Sequence, residues 1–145
     1  MNYIFRDYVI QQGGNFVQLG GNKVPGVPQH LFFSGLSYDH ASGLMAEITS
    51  QFSGEYFTND VNSPNFNNEH YVTVDARLGF LQTFDYFSFN IFGGINNIFD
   101  KKYNSSIIPN AAGNRFFEPA PGRNWYVSVE IPYSPFSFFT RENAY

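Results

Sequence analysis

The sequence contains few residues whose types and spacing could support catalysis or metal binding. The three histidines, His30, His40 and His70, lie far apart and in or beside predicted connections, so we expect loop residues rather than ligands. The segment from Asp60 to Glu69 brings oxygen donors close together, but it lacks the glycine and the ligand spacing of an EF-hand. The chain has no cysteine, which excludes a disulfide framework and thiolate metal sites. It also has no GxSxG, HExxH, P-loop or dinucleotide-binding motif. We therefore expect no enzymatic activity, no cofactor and no metal site.

Aromatic residues dominate the composition. The 145 residues include 18 Phe and 10 Tyr, and only 14% of them are charged; this balance favours β-sheet over helix. The net charge of −4, with no basic cluster beyond Lys101 and Lys102, argues against a nucleic-acid partner. No apolar run approaches the ~20 residues of a transmembrane helix. Residues 1–12 lack the basic and apolar regions of a signal peptide, which counts against a complete membrane barrel or in favour of a fragment.

Alternation of apolar and polar residues predicts six strands. They cover residues 2–10, 31–38, 44–57, 71–80, 87–103 and 121–131. Long polar loops, at 13–29, 58–70 and 104–120, alternate with short turns at 39–43 and 82–85. The predicted fold class is therefore all-β, an antiparallel up-and-down meander of about six strands.

Each of the later strands has one apolar and one polar face. Val74 and its apolar neighbours alternate with Thr73 and charged residues, and Val127 alternates with Ser128. Several strands approach the ~9–11 residues that cross a bilayer at a tilt, and long and short loops alternate as in outer-membrane barrels. The pattern favours a partial transmembrane β-barrel with Val74 and Val127 toward lipid and Thr73 and Ser128 toward the lumen. A soluble antiparallel sandwich shows the same alternation and is an open alternative.

Aromatic residues at the predicted strand ends are candidates for the interfacial girdles of such a barrel. They are Tyr38, Tyr56, Tyr71, Tyr86, Tyr103 and Trp125. We expect these side chains to lie at the lipid headgroups.

Three sequence elements, in order along the chain, resemble those of TonB-dependent outer-membrane receptors. Residues 24–30, VPGVPQH, are similar to the PGVP.H element that precedes a descending strand, and Tyr38 matches its usual GLSY ending. Residues 94–103, GINNIFDKKY, resemble the NLFDKKY element, and residues 119–129, PAPGRNWYVSV, resemble the C-terminal PGR strand. The resemblance implies that residues 1–131 are the C-terminal part of a roughly 22-stranded plugged β-barrel, followed by a Pro/aromatic tail at 132–145. It places the long loops outside the cell and the short turns in the periplasm.

The resemblance also implies a function. It predicts energised uptake of a scarce nutrient, such as an iron-siderophore, cobalamin or a glycan, at the bacterial cell outer membrane. The implied partners are outer-membrane lipid, the plug and remaining strands of the receptor, the TonB complex through the missing N-terminal part, and a small-molecule or metal-chelate substrate. The alternatives are a soluble secreted or periplasmic β-sandwich ligand-binding module, or a small barrel made of this chain alone or as an oligomer.

Site residues follow from the same resemblance. Ligand contacts are expected from the outer loops, because binding residues concentrate on loops carried by rigid scaffolds; the candidates are Asn65, Phe66, Asn110, Asn114 and Arg115. Structural roles in the last hairpin are expected for Asn96, Asn97, Phe99, Asp100, Tyr103 and Arg123. Asp100 and Arg123 are expected to pair near its outer rim.

Overall fold

The computed structural model describes residues 3–85 and 87–132 of the chain. Eleven strands lie within these ranges, together with one helical turn, Ala112–Asn114. The strands are β1 Val9–Gln12, β2 Asn15–Gln18, β3 Leu31–Asp39, β4 Leu44–Ser53, β5 Tyr56–Phe57, β6 Asn67–Asn68, β7 Tyr71–Thr83, β8 Ser88–Asn96, β9 Asn104–Ile107, β10 Phe117–Pro119 and β11 Asn124–Glu130.

Five long strands form the main sheet, in the spatial order β11-β8-β7-β4-β3. Each strand pairs antiparallel with its neighbour, so the expected all-β up-and-down meander is confirmed. The turn between β3 and β4 depends on Gly43, whose φ is +90° and whose carbonyl accepts the N–H of Leu81 at 2.8 Å. A Cβ at this position would collide with the backbone of Leu81, so this turn needs glycine.

The first predicted strand, 2–10, is not part of this sheet. Its described residues contribute Val9–Gln12, which pairs with β2 in a separate hairpin, and a single bridge between Ile4 and Lys23. The hairpin turns at Gly13 and Gly14, both with positive φ. The meander therefore has five strands, because the mixed faces around Arg6 and Asp7 offer no continuous apolar side to add to the sheet.

Two predicted strands are shorter than expected. The strand at 44–57 ends at Ser53, and Tyr56–Phe57 pairs instead with β6. The strand at 87–103 ends at Asn96, because the next residue, Asn97, has φ 52° and turns the chain. Left-handed φ is tolerated by Asn but interrupts a strand.

The strand register places the apolar residues of the five strands in continuous rows across one face of the sheet. One row contains Leu36, Ile48, Ala76, Ile95 and Trp125. The opposite face carries polar rows, such as Gln51 beside Thr73 and Glu47 beside Arg77. Among the described residues, no second sheet or helix covers the apolar face.

The buried side chains lie at the long-loop end, largely outside the middle of the sheet. The buried apolar residues are Leu19, Tyr56, Tyr71 and Phe116. The buried polar residues are Ser53, Thr58, Asn68, Thr73 and Asn97. All nine residues of β3, in contrast, are exposed.

The part of the chain that the structure describes contains no helix long and apolar enough to span a membrane. Most of the Pro/aromatic tail predicted at 132–145 lies outside the described residues, as does Tyr86.

Candidate ligand-binding loops and lumen face

Two short hairpins and the N-terminal segment pack together at the long-loop end of the sheet. We call this the outer loop cluster, residues 3–29, 54–70 and 97–123. The rings of Phe66 and Phe116 lie 5.3 Å apart, and those of Tyr71 and Tyr103 lie 4.3 Å apart. Phe66 lies in the long loop 58–70 and Phe116 in the long loop 104–120, and Tyr71 and Tyr103 adjoin the same two loops. Aromatic contacts of this kind add to the free energy of area burial, so the loops stabilise one another.

Hydrogen bonds join the same segments. Asn104 donates to the side-chain oxygen of Asn68 at 2.8 Å, and the Asp60 N–H donates to the side-chain oxygen of Asn110 at 3.0 Å. Asn62 accepts from the backbone N–H of Lys23 at 2.6 Å and donates back to the Lys23 carbonyl at 2.8 Å. The three segments therefore form one bonded unit.

Two tyrosines of this cluster hold their protons more firmly than free tyrosine. Burial raises the pKa of Tyr56, and proximity to Tyr71 raises it further, against an opposing hydrogen bond from Asn68. Burial likewise raises the pKa of Tyr103, with added repulsion from Tyr71 and Asp75. Because a phenolate is the form that binds a metal ion, these hydroxyls are poor candidates for metal ligands at neutral pH.

The predicted ligand-contacting residues fall into two groups. Phe66 is half-buried against Phe116, and its carbonyl accepts the N–H of Thr58 at 3.1 Å. The N–H of Asn110 donates to the carbonyl of Thr58 at 3.0 Å, so Phe66 and Asn110 meet at a residue whose exposed fraction is 0%. Asn110 is nevertheless exposed, as are Asn65 and Arg115. Asn114 closes the helical turn Ala112–Asn114.

The motif residue Asn97 stabilises the turn that follows the C-terminal end of β8. Its side-chain oxygen accepts from the N–H of Lys101 and its amide donates to the carbonyl of Lys101, both at 2.9 Å. Its own N–H donates to the carboxylate of Asp75 on β7 at 2.7 Å, and the next N–H, of Ile98, donates to the Val74 carbonyl. The turn after β8 is thereby bound both to itself and to the neighbouring strand.

Asp100 joins this turn to the start of β11. Its carboxylate accepts the backbone N–H of Arg123 at 2.8 Å and the ammonium of Lys102 at 3.1 Å. These hydrogen bonds, with the nearby Lys102 charge, lower the pKa of Asp100. The expected Asp100–Arg123 pairing thus runs through the backbone, while the guanidinium contacts the Ile98 carbonyl at 3.5 Å.

The other three motif residues differ in exposure. Asn96 donates to the side-chain oxygen of Asn124 across the β8–β11 pair at 2.8 Å. Tyr103 packs on Tyr71, and Phe99 is exposed.

The expected girdle is only partly present. Tyr38 and Trp125 are exposed on the apolar face, but Tyr56 and Tyr71 are buried, and Tyr103 stacks on Tyr71. These three belong to the core of the outer loop cluster. Sequence reasoning missed this core, and also Thr58 and Asn68, because their burial depends on how distant loops fold together.

The polar face of the sheet carries a further cluster. The Arg77 guanidinium lies over the Phe92 ring, 4.6 Å from its centroid, and Phe92 meets Tyr126 edge to face. The Tyr126 ring covers Gly94, where a Cβ would lie 2.7 Å from the ring. A cavity of about 210 Å3 opens beside this cluster. It is lined by Ser37, Asp39, Met45, Ala46, Glu47, Arg77 and Gly79. Its lining combines the charged side chains of Asp39, Glu47 and Arg77 with apolar surface from Met45 and Ala46.

No cluster of three or more His, Asp or Glu with metal-binding geometry occurs within residues 3–85 and 87–132. What the outer loop cluster and the polar face offer to a ligand is hydrogen bonds, charges and aromatic rings.

Comparison with known proteins relates this geometry to import receptors. No protein-family model matches the chain. The ferric yersiniabactin uptake receptor FyuA from Yersinia pestis is similar in structure, with a TM-score of 0.58 and 23% identity over 77% of this chain and 17% of FyuA. The ferric-catecholate import receptor Fiu from E. coli K12 is similar in its closed form, with a TM-score of 0.56 and 21% identity over 76% of this chain and 15% of Fiu. In its open form the TM-score is 0.53 over 70% of this chain.

This chain spans about one sixth of the length of these receptors. The identities are low, so the likeness is one of fold. The resemblance to TonB-dependent receptors drawn from the sequence motifs is confirmed at that level: the chain has the fold of a stretch of receptor β-barrel.

Proposed function

We propose that this chain is part of the wall and outer loops of a TonB-dependent outer-membrane receptor that takes up a ferric chelate. The observation that carries the proposal is the unbroken register of five strands, which gives the sheet one apolar and one polar face, both uncovered within the described residues. The import receptors of similar fold favour a ferric chelate over the other nutrients expected from the motifs, cobalamin or a glycan.

The apolar face has the dimensions of a lipid-facing band. From Val72 to Phe80, β7 extends roughly 26 Å at ~3.3 Å per residue, and a tilt near 40° reduces this to about 20 Å across the bilayer. The apolar band of outer-membrane barrels is ~25 Å tall. A soluble sandwich needs a second layer on this face, and none is present among residues 3–85 and 87–132. Lipid is therefore the better-supported partner for the apolar face.

Strand directions indicate what completes the wall. Because successive strands of the five-stranded sheet alternate in direction, the two edge strands, β3 and β11, run the same way. Both edges must be paired inside a membrane. A wall that pairs antiparallel with both must begin and end with strands of the opposite direction, so it contains an odd number of strands. If several copies of this chain inserted in one orientation, all their edge strands would run the same way and could not pair antiparallel with one another. This favours the remainder of a larger receptor over an oligomer of this chain as the partner of the two edges.

The other partners belong to that remainder. In this proposal, the remainder of the receptor contains the plug and the segment that contacts the TonB complex. The assembled receptor lies in the bacterial outer membrane. Within this chain, we propose Asn65, Asn114 and Arg115 as ligand contacts in the outer loops. The Arg115 guanidinium suits the anionic oxygens of a ferric chelate, because hydrogen bonds between charged groups are the strong ones. Phe66 and Asn110 would influence ligand binding indirectly, by fixing the conformation of the loops.

Iron uptake tests the proposal. Cells that carry the complete receptor should accumulate radioactive iron supplied as a ferric catecholate or as ferric yersiniabactin, and a proton-motive-force inhibitor should stop accumulation. Arg115→Ala should weaken chelate binding about tenfold, the effect of losing ~1.4 kcal/mol. Lys23→Ala, a change to another outer-loop cation, is the matched control. An assembled receptor that accumulates neither chelate above receptor-free cells would overturn the ferric-chelate assignment.

A further inference from the structure

The apolar face of the sheet contains a depression near the outer end of β11. Two rows of the strand register surround it. The first contains Ala76, Ile95 and Trp125, and the second contains Leu78, Gly93 and Val127. Gly93 leaves a gap between Leu78 and Val127, and Ala76 contributes only a methyl group. The resulting groove has a volume of about 350 Å3.

The groove is built into the backbone. A Cβ at Gly93 would lie 3.1 Å from the Tyr126 carbonyl oxygen and 3.4 Å from a methyl group of Val127. These contacts are tight, so close pairing of β8 and β11 favours glycine here. The walls are aliphatic and aromatic, and the Trp125 side chain, 78% exposed, stands along one side. No described side chain fills the groove.

A cation lies beside the outer end of this groove. Arg123 is exposed, immediately precedes β11 and stands two positions before Trp125. Among the described residues, its guanidinium contacts only the Ile98 carbonyl, at 3.5 Å, whereas the nearby Asp100 carboxylate is bonded to Lys102 and to the Arg123 backbone. Within the described ranges, no carboxylate forms an ion pair with Arg123.

We propose that this groove binds one acyl chain of an anionic membrane lipid, with the lipid phosphate at Arg123. The inference rests on the proposed membrane orientation, in which this face meets the bilayer and β11 begins at its outer surface. An apolar groove open to hydrocarbon takes an acyl chain, and a free guanidinium at headgroup level attracts a phosphate. A zwitterionic lipid offers the same chain but a weaker net attraction to the cation.

Fluorescence quenching of Trp125, the chain's single tryptophan, can test this in the complete receptor reconstituted in nanodiscs. The Trp125 signal is the difference between the receptor and its Trp125→Phe variant. Brominated phosphatidylglycerol or brominated phosphatidylcholine is added at low mole fraction to unbrominated lipid. We expect phosphatidylglycerol to quench Trp125 several-fold more than phosphatidylcholine does at equal fraction.

Three variants locate the effect. Arg123→Gln should reduce the preference for phosphatidylglycerol, and Ala76→Leu, which extends an existing side chain into the groove, should remove it. Ser34→Leu adds similar bulk to the same face on β3, away from the groove, and should leave the preference unchanged. Equal quenching by both lipids, unaffected by Ala76→Leu, would overturn the lipid site while leaving the membrane assignment intact. Failure of both lipids to quench a water-exposed Trp125 would overturn the membrane assignment as well.

Discussion

The main sheet and the outer loop cluster bury their side chains in opposite ways. Every residue of β3 is exposed, and no second layer formed by the described residues covers apolar side chains such as Leu36 and Val127. In the outer loop cluster, Thr58 is fully buried and Phe116 is 4% exposed. In the proposed membrane setting, the sheet would depend on lipid and on neighbouring strands for its stability, whereas the cluster contains a core of its own.

This difference has a practical consequence. Apolar-to-polar changes in the sheet should act through the bilayer, and their cost should depend on facing and depth. Truncations in the loop cluster should act as they do in a soluble core, through lost contacts and cavities. The two regions can therefore be disturbed separately.

Truncating the loop core should have the largest effect. Phe116→Ala removes a buried ring that packs on Phe66, and we expect it to cost about 3–5 kcal/mol of local stability. Hydrogen exchange should quicken at the amides of residues 54–70 and 97–123 while those of the sheet stay protected. Phe16→Ala, at a ring 79% exposed in the β1–β2 hairpin, is the control and should change little. Equal deprotection of the sheet would show that the cluster has no independent stability.

A charge on the lipid face should have the next largest effect. Val127→Arg places a guanidinium mid-strand on the apolar face and should destabilise the inserted receptor by ~2–4 kcal/mol. Ser128→Arg, one residue along and on the opposite face, should cost much less. Urea titration of receptor folded in phospholipid bilayers measures both, and equal costs would contradict the assigned facing. Thr73 is an unsuitable control even though it lies on the predicted lumen side, because it is only 7% exposed.

The faces of the sheet could be predicted from sequence because they depend on a local period of two. Val74 and Val127 lie on the apolar face and Ser128 on the polar face, as the alternation predicts. Where alternation is weak, the prediction was wrong: the described residues of the first predicted strand, 3–10, do not join the sheet. The residue at which a strand ends can also depend on one side chain. The strand predicted at 87–103 ends before Asn97, whose φ is positive.

The loop core could not be predicted in this way. Tyr56, Tyr71 and Tyr103 stand at strand ends, a position that fits either an interfacial girdle or a buried cluster. Which one forms depends on whether the hairpins β5–β6 and β9–β10 meet. Their contacts join residues far apart in sequence, such as Asn68 and Asn104, which are 36 positions apart. The roles of Asn65 and Arg115 depend on a ligand and stay predictions.

Asn97→Gly, which loosens the turn after β8, should have a smaller effect than either change above. Asn97→Gly keeps the left-handed backbone but removes the two side-chain bonds to Lys101. At about 0.5–1.5 kcal/mol for each hydrogen bond, the loss should cost about 1–3 kcal/mol. Asn97→Ala should cost roughly 1 kcal/mol more, because alanine is strained at φ 52°. Hydrogen exchange at the Ile98 amide, whose bond to the Val74 carbonyl does not involve the Asn97 side chain, measures both. Equal costs would show that backbone conformation contributes nothing here, and no cost would show that the turn is held by other contacts.

The smallest effect should be the pH dependence of the contact between the two arms of the last hairpin. The pKa of Asp100 is lowered by the Arg123 N–H and by Lys102, so its ionised form is favoured in the folded chain. Its contribution to stability is therefore fully present above the unfolded value near ~3.9 and is lost as the pH falls through the lower, folded pKa. The Arg123 amide should stay protected from exchange at neutral and mildly acidic pH and lose protection only in stronger acid. Asp100→Asn keeps a residue that tolerates the φ of 50° and removes the charge, so protection in this variant should not vary with pH over that range. If the Arg123 amide of Asp100→Asn still loses protection in acid, another carboxylate is responsible. The two arms would then be joined mainly by the β8–β11 backbone ladder.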